Sequence, residues 1–401
     1  MPDMPPLTLL CITTYEKGQD FMRECKHQGC RVFLLTGEKL RNGDWPRECL
    51  EDTFYLPSEL PLADIVQAVT HLARTQKIDR IVALDEYDME TASTLREHLR
   101  VPGMGLTTMR YFRDKLAMRI RALDRGVRVP DFVPVLNHGD IRYYLEHVAG
   151  PWVLKPRQEA SAIGIKKIHS GEELWPLLEQ LGDKQSGYLL EKFVPGDVYH
   201  VDSIVSENEL LFANVSKYGK PPMNVAQGGG VFTTFTVPRG SEADSSLRKI
   251  NRELLAALGM VRGVAHAEFI QAHADGHFYF LECAARVGGA YINEMVEAAT
   301  GINLWREWAR IEIAGGNGSY RLPLVREEYA GVILSLARQD EPDTSRYNDP
   351  EVFLRIKRHH HAGLILRSTD QQRVPVLLEG YAQRFADEFT AVEPPREKPT
   401  A

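Results

Sequence analysis

The chain is short of cysteine, of basic blocks and of long apolar runs, and each shortage removes a class of function. Four of its five cysteines, Cys11, Cys25, Cys30 and Cys49, fall near the start, no two form a CxxC pair and the count is odd. Neither a zinc site nor a disulfide framework is indicated, and a reduced compartment is the default. Acids outnumber Lys and Arg by 55 to 48, for a net charge of −7. With no long Lys/Arg block, neither nucleic acid nor an anionic membrane is an expected partner. No stretch approaches the roughly 20 apolar residues of a membrane span. The apolar run from Leu7 to Ile12 is flanked by prolines and has no basic leader or cleavage site, so a cytoplasmic location is expected. Two nucleotide motifs are missing as well. No GxGxxG follows the first strand and no GxxxxGK[ST] occurs, which argues against a dinucleotide site and rules out a Walker loop.

What is present is a chain of 401 residues, long enough for two or three domains. Apolar segments at Leu7 to Ile12, Arg31 to Leu35 and Ile78 to Leu84 alternate with helical segments, the pattern of a small open parallel βαβ sheet with ligands at its strand ends. Asp85, Glu86 and the loop after Ile12 are therefore candidate substrate contacts, with ordinary surface-loop roles as the alternative. Val101-Pro102-Gly103-Met104-Gly105 breaks the chain, and a basic helix containing Lys115 follows.

The chemistry concentrates between Gly263 and Gly289. Gly263 to Ile270 and His277 to Gly289 read as two strands joined at Asp275-Gly276, a hairpin signal, and the second carries the aromatic run Phe278, Tyr279 and Phe280. Each strand holds one acid in apolar surroundings, Glu268 and Glu282. Antiparallel pairing would set the two carboxylates side by side, where they repel unless a cation lies between them. Oxygen ligands favour a hard ion, Mg²⁺ over Zn²⁺, with Mn²⁺ as the alternative. Arg286, just before Gly-Gly, can neutralise a phosphoryl or carboxyl oxygen. The plain alternative is two solvent-facing acids on an edge pair.

Upstream, the strand Pro151 to Pro156 carries Lys155 near its end. A small-residue loop with Ser161 and Gly164 follows, and the chain then returns as a strand, a geometry in which backbone N–H groups and a lysine can approach phosphate. Gly187 to Pro195 reads as a strand running into an extended hinge that stops at Pro-Gly, and 188–215 as an antiparallel sheet. The stretch from Lys217 to Gly230 is Pro- and Gly-rich and suits a covering loop. Consecutive His359, His360 and His361 would point apart in either regular structure, which argues against a metal site.

In this order, Lys115, Leu154-Lys155-Pro156 with its Ser161/Gly164 loop, Leu190-Glu191-Lys192-Phe193-Val194-Pro195-Gly196, and Glu268, Glu282 and Arg286 resemble the ATP-grasp superfamily, most closely its carboxylate-amine ligases. The resemblance covers roughly residues 105–315. It implies a fold of mixed α/β and α+β class, with an N-terminal open parallel βαβ domain before a two-lobed ATP-grasp unit of antiparallel sheets. The implied domains are 1–104, 105–186 with the phosphate loop, 187–322 with the metal site, a C-terminal α/β extension at 323–392, and a disordered tail at 393–401. ATP would lie between the lobes, with Lys115 and Lys155 on phosphates and the Ser161 to Gly164 loop closing over them. The backbone of Lys192, Phe193 and Val194 would hold adenine beside Glu191. Glu268 and Glu282 would bridge Mg²⁺, and Arg286 would hold the acyl phosphate.

Two positions depart from the family pattern. Its usual Glu-x-Asn-x-Arg has Ala284 at the Asn, so one metal ligand is missing. The acid often used for ribose is replaced by Val198, leaving Asp197 or His200 to serve. The expected function is ATP-dependent amide formation from a small-molecule carboxylate and an amine, amino acids first. The rivals are a ligase acting on a nucleotide precursor or another small carboxylate, and a regulatory ATP-binding protein without turnover. His266, Tyr291 and Asn293 are candidates for the substrate pocket, with core or surface roles as the alternative. The segment after 323 is left with two roles, a lid or a homo-oligomer contact.

Overall fold

Apolar strands alternating with amphipathic helices bury their side chains by forming a parallel sheet, and the N-terminal region of the computed structural model does this. The structure describes residues 6–160, 163–223, 225 and 230–391. Ser161, part of the 217–230 loop and the tail from 393 lie outside the described residues. Four strands form the first sheet: β1 (Thr8–Thr13), β2 (Arg31–Gly37), β3 (Asp52–Leu56) and β4 (Arg80–Ala83), ordered β3-β2-β1-β4 and all parallel. The central strand β1 is buried along its whole length, as a strand covered on both faces should be. The edge strand β3 has no counterpart among the sequence-based strands. It is short, starts with an exposed acid and is only half-buried.

The second sheet contains β5 (Phe132–Pro134), β6 (Trp152–Pro156), β7 (Lys166–Ile168) and β8 (Tyr188–Lys192), antiparallel and ordered β5-β8-β6-β7. Leu154 and Leu190 pack there against Leu174 and Leu178 of the helix Gly171–Leu181, which Ser170 caps through the Glu173 N–H. The third sheet has eight strands: β9 (Gly196–Ser206), β10 (Glu209–Tyr218), β11 (Phe232–Thr236), β12 (Gly263–Ala272), β13 (Phe278–Ala284), β14 (Tyr329–Leu336), β15 (Val352–Arg358) and β16 (His361–Ser368). They run in the order β13-β12-β9-β10-β11-β14-β16-β15. No described helix is long and apolar enough to cross a membrane.

Two expected divisions of the chain change. Residues 188–192 do not open the second lobe or pair with the strands after 196; β8 completes the first lobe, because Leu190 packs with Val133 and Leu154. The lobes change over at 193–195, not at 187. The segment 323–392 is not a separate extension either, since β14, β15 and β16 continue the third sheet through β11, which pairs with both β10 and β14. The helix Arg373–Glu388 covers this end, packing Val374, Leu378 and Phe385 on Ile333 and Leu364.

Candidate active site

The turn at Asp275-Gly276 closes the β12–β13 hairpin. The Asp275 carboxylate accepts the His277 N–H at 2.9 Å, and Gly276 takes up a left-handed φ of +70°. This sets the register. Glu268 stands opposite Glu282, His266 stands opposite Ala284, and a bulge follows Glu268. Phe269 and Phe280 turn into the core, while both glutamates line a cavity of about 610 Å³. Lys115 Nζ lies 2.8 Å from Glu282 Oε2 and donates to the Glu159 carbonyl at 2.5 Å. Glu268 Oε1 accepts the Tyr218 hydroxyl at 2.7 Å, and His266 Nε2 is 3.6 Å away. Burial pushes the Glu268 carboxyl up, but His266 and Tyr218 together outweigh it and hold the group below the usual carboxylate range.

Behind Glu268 runs a buried polar chain. His266 Nδ1 is 2.9 Å from Asp202 Oδ1, His200 Nδ1 is 2.7 Å from Asp202 Oδ2, and His200 Nε2 is 2.7 Å from Thr234 Oγ1. Burial alone would lower His266, yet Asp202 first and Glu268 second push it up to about 9. His200 was expected near the ribose, and the structure corrects this. The ring is fully buried, both nitrogens are engaged, and it does not line the cavity. Asp197, the other alternative, does line it and pairs with Lys217 at 2.9 Å.

The opposite wall comes from β6, β8 and the hinge. Lys155 and Glu191 form a buried ion pair, and Arg119 Nε adds a bond to the other Glu191 oxygen at 3.1 Å. One carboxylate thus serves two cations. Burial raises Glu191, but Arg119 and Lys155 bring it below its ordinary value, while Lys155, desolvated and crowded by Arg119, is lowered to about 8. Glu191, Lys192, Phe193 and Val194 all line the cavity. The Lys192 and Phe193 N–H groups are already used, on Asp131 O at 2.8 Å and Pro151 O at 2.9 Å. That leaves the Val194 N–H as the hinge donor without a partner among the described residues. Gly164 has φ +70°, and a Cβ there would meet Pro156 at 2.9 Å, so only glycine fits. Its neighbours Ile163 and Ile165, rather than Gly164 itself, line the cavity.

Arg286 is held from the N-terminal sheet. Its Nε and Nη2 reach Glu86 Oε1 at 3.0 and 2.5 Å, and Arg113 approaches the other oxygen at 3.7 Å. Burial opposes the charge on Glu86, but Arg286 and Arg113 lower it to about 2, and Arg286 is raised in return. Glu86, a candidate substrate contact in the sequence, is here the counter-ion of Arg286. Asn293 accepts the Leu304 N–H at 2.8 Å in the core, and Tyr291 does not line the cavity; His266 does. Arg119, Asp202 and Tyr218 escaped the sequence reading. Arg119 could have been found, since it lies four residues after Lys115 on one helix face. The other two carry no local signal.

No family model matches the chain. It is 28% identical over 242 residues to an L-arginine-specific L-amino acid ligase of Bacillus subtilis, covering 59% of this chain and 58% of that one. It is also 28% identical over 250 residues to a D-alanine–D-alanine ligase of Ralstonia pickettii, covering 59% and 75%. The crystal structure of an L-amino acid ligase from Bacillus licheniformis superposes with a TM-score of 0.75 over 97% of this chain and 99% of that one, at 19% identity. This chain has the ATP-grasp fold.

ATP-grasp ligases use ATP and Mg²⁺, and the residues here suit both. The cavity volume lies within the usual range for small-molecule sites. The paired glutamates would offer oxygen donors to a hard cation beside the two lysines. Ala284 adds no donor of its own.

Proposed function

We propose that the chain is an ATP-dependent carboxylate-amine ligase that joins two small molecules, amino acids first among them, through an acyl phosphate. The observation that carries this reading is the ladder rung pairing Glu268 with Glu282 on a cavity whose far wall presents Lys155 and the 192–194 hinge. In this reading the hinge holds adenine through the Val194 N–H, and Lys115 and Lys155 lie along the phosphates. Glu268 and Glu282 would hold Mg²⁺, which supplies charge neutralisation to the transferring phosphoryl group. Arg286, fixed by Glu86, holds the anionic oxygens of the carboxyl phosphate.

The reaction needs no side-chain nucleophile. A substrate carboxylate oxygen bonds to the γ-phosphorus as the bond to ADP breaks. The neutral amine then attacks the acyl carbon, phosphate leaves, and the amine proton passes to solvent. The enzyme's part is to position the reactants and neutralise charge. The similarity to the B. subtilis and R. pickettii ligases supports amino-acid substrates. The test is phosphate release from ATP across a grid of amino acids, singly and in pairs, with mass spectrometry of active wells. Release that depends on a pair, with a product equal to the sum less water, is the expected result. ATP binding without release on wide carboxylate and amine panels would overturn it.

A further inference from the structure

The β12–β13 ladder puts two rungs side by side: Glu268 opposite Glu282, and His266 opposite Ala284. Residues two apart on a strand share a face, so His266 stands next to Glu268 on the wall of the cavity, which both line. Its ring is fixed from behind. Nδ1 is bound to Asp202, Asp202 is held in turn by His200, and Thr234 backs His200. Gly288 makes this possible, because a Cβ there would come within 3.1 Å of both His266 Nδ1 and Asp202 Oδ1. The remaining nitrogen, Nε2, is turned toward the cavity side, with the Tyr218 hydroxyl at 3.4 Å and Glu268 Oε1 at 3.6 Å. Two donors bound to one ion at about 2.1 Å stand roughly 3 Å apart at right angles, so a small side-chain shift lets one ion touch both. A carboxylate on one imidazole nitrogen with the other left facing outward is the usual support of a metal-binding histidine.

We propose that His266 is the third protein ligand of the metal, supplying from the facing strand the donor that Ala284 lacks, and that this mixed nitrogen–oxygen site prefers Mn²⁺ to Mg²⁺. The proposal rests on reading Glu268 and Glu282 as metal ligands. Imidazole suits later divalent ions better than Mg²⁺, and Mn²⁺ accepts carboxylates as readily. The buried trio His200, Asp202 and His266 is close enough to hold an ion, but its facing atoms are already bonded to one another. Thr234 Oγ1 donates to the Lys217 carbonyl at 3.0 Å and lies 2.7 Å from His200 Nε2, while Asp202 Oδ2 lies 2.7 Å from His200 Nδ1, so both nitrogens of that ring are engaged inside the core. His266, by contrast, presents Nε2 on the cavity side and would release the proton there to solvent as the ion binds.

The experiment is pulsed EPR of Mn²⁺ bound to the full chain with ADP, comparing protein of natural abundance with protein carrying ¹⁵N-histidine. Nitrogen modulation that changes on histidine labelling is expected. Of the two histidines lining the cavity, His273 is exposed beside Asp197 near the hinge end, and His266→Ala should abolish the signal. The same variant should weaken Mn²⁺ binding about tenfold and Mg²⁺ binding less than about twofold. Mn²⁺ bound to wild type without histidine coupling overturns the proposal, whether or not the variant folds. Failure of wild type to bind Mn²⁺ with nucleotide overturns the reading of the glutamates, and this proposal with it.

Discussion

At the β6–β8 wall of the cavity one carboxylate, Glu191, lies between two buried cations, Lys155 and Arg119; at the β12–β13 wall two carboxylates, Glu268 and Glu282, occupy one rung. The first wall has a cation to spare and the second an acid. A polyphosphate with a divalent ion is the guest that satisfies both, its oxygens toward the lysines and its metal toward the glutamates. The difference also separates stability from chemistry. Glu191 is enclosed between its two cations, whereas Glu282 is about a third exposed and is paired with Lys115 on the cavity wall.

Neutralising one acid on each wall breaks the comparison most directly. Glu191→Gln leaves two buried cations without a counter-charge and should cost about 3–5 kcal/mol, seen as an early thermal transition. Glu282→Gln should leave that transition nearly in place yet lower ADP release by about 10²–10³-fold. Equal thermal losses in both variants would show that the walls do not differ in this way. A smaller effect is expected of Glu86→Gln, which frees Arg286 from its anchor. ADP release at saturation should fall about tenfold with the KM for ATP unchanged, and a rise in that KM would place Arg286 on the nucleotide instead.

The smallest effect lies beyond both walls. Asp88 is buried, bonded to the Thr14 N–H at 2.8 Å, and raised by burial and then Asp85 from 3.8 to about 7. Between those values the folded protein keeps a proton that the unfolded chain has lost, so stability falls as pH rises through the window. Asp88→Asn should flatten that fall and raise Tm near pH 8 by about 2–4 °C. An unchanged slope between pH 4 and 8 would count against it.

Features set by neighbouring residues were legible in the sequence. Asp275-Gly276 and the flanking alternation specify the β12–β13 hairpin. Sheet membership was not legible. Pairing partners lie far apart in sequence, so β8 read as the start of one lobe and belongs to the other, and β11, five residues beside an undescribed loop, went unnoticed. The candidate site divides in the same way. Lys115, Lys155, Glu268 and Glu282 stand out by position in a motif, but Arg286 meets Glu86 across 200 residues and Glu191 meets Arg119 across 72. His200 failed as a ribose ligand because its strand position faces the interior, where Asp202 and Thr234 claim it.

The eight-stranded sheet has one more consequence. With β11 hydrogen-bonded on both sides, a chain cut after residue 322 would end the sheet on β11 with a row of unpaired N–H and C=O groups, an invitation to dock foreign strands. Residues 323–391 act as a hem. They move the free margin outward to β15, which carries Lys357 and Arg358 beside exposed Phe353 and Leu354, and charge on a sheet edge disfavours the addition of a further strand.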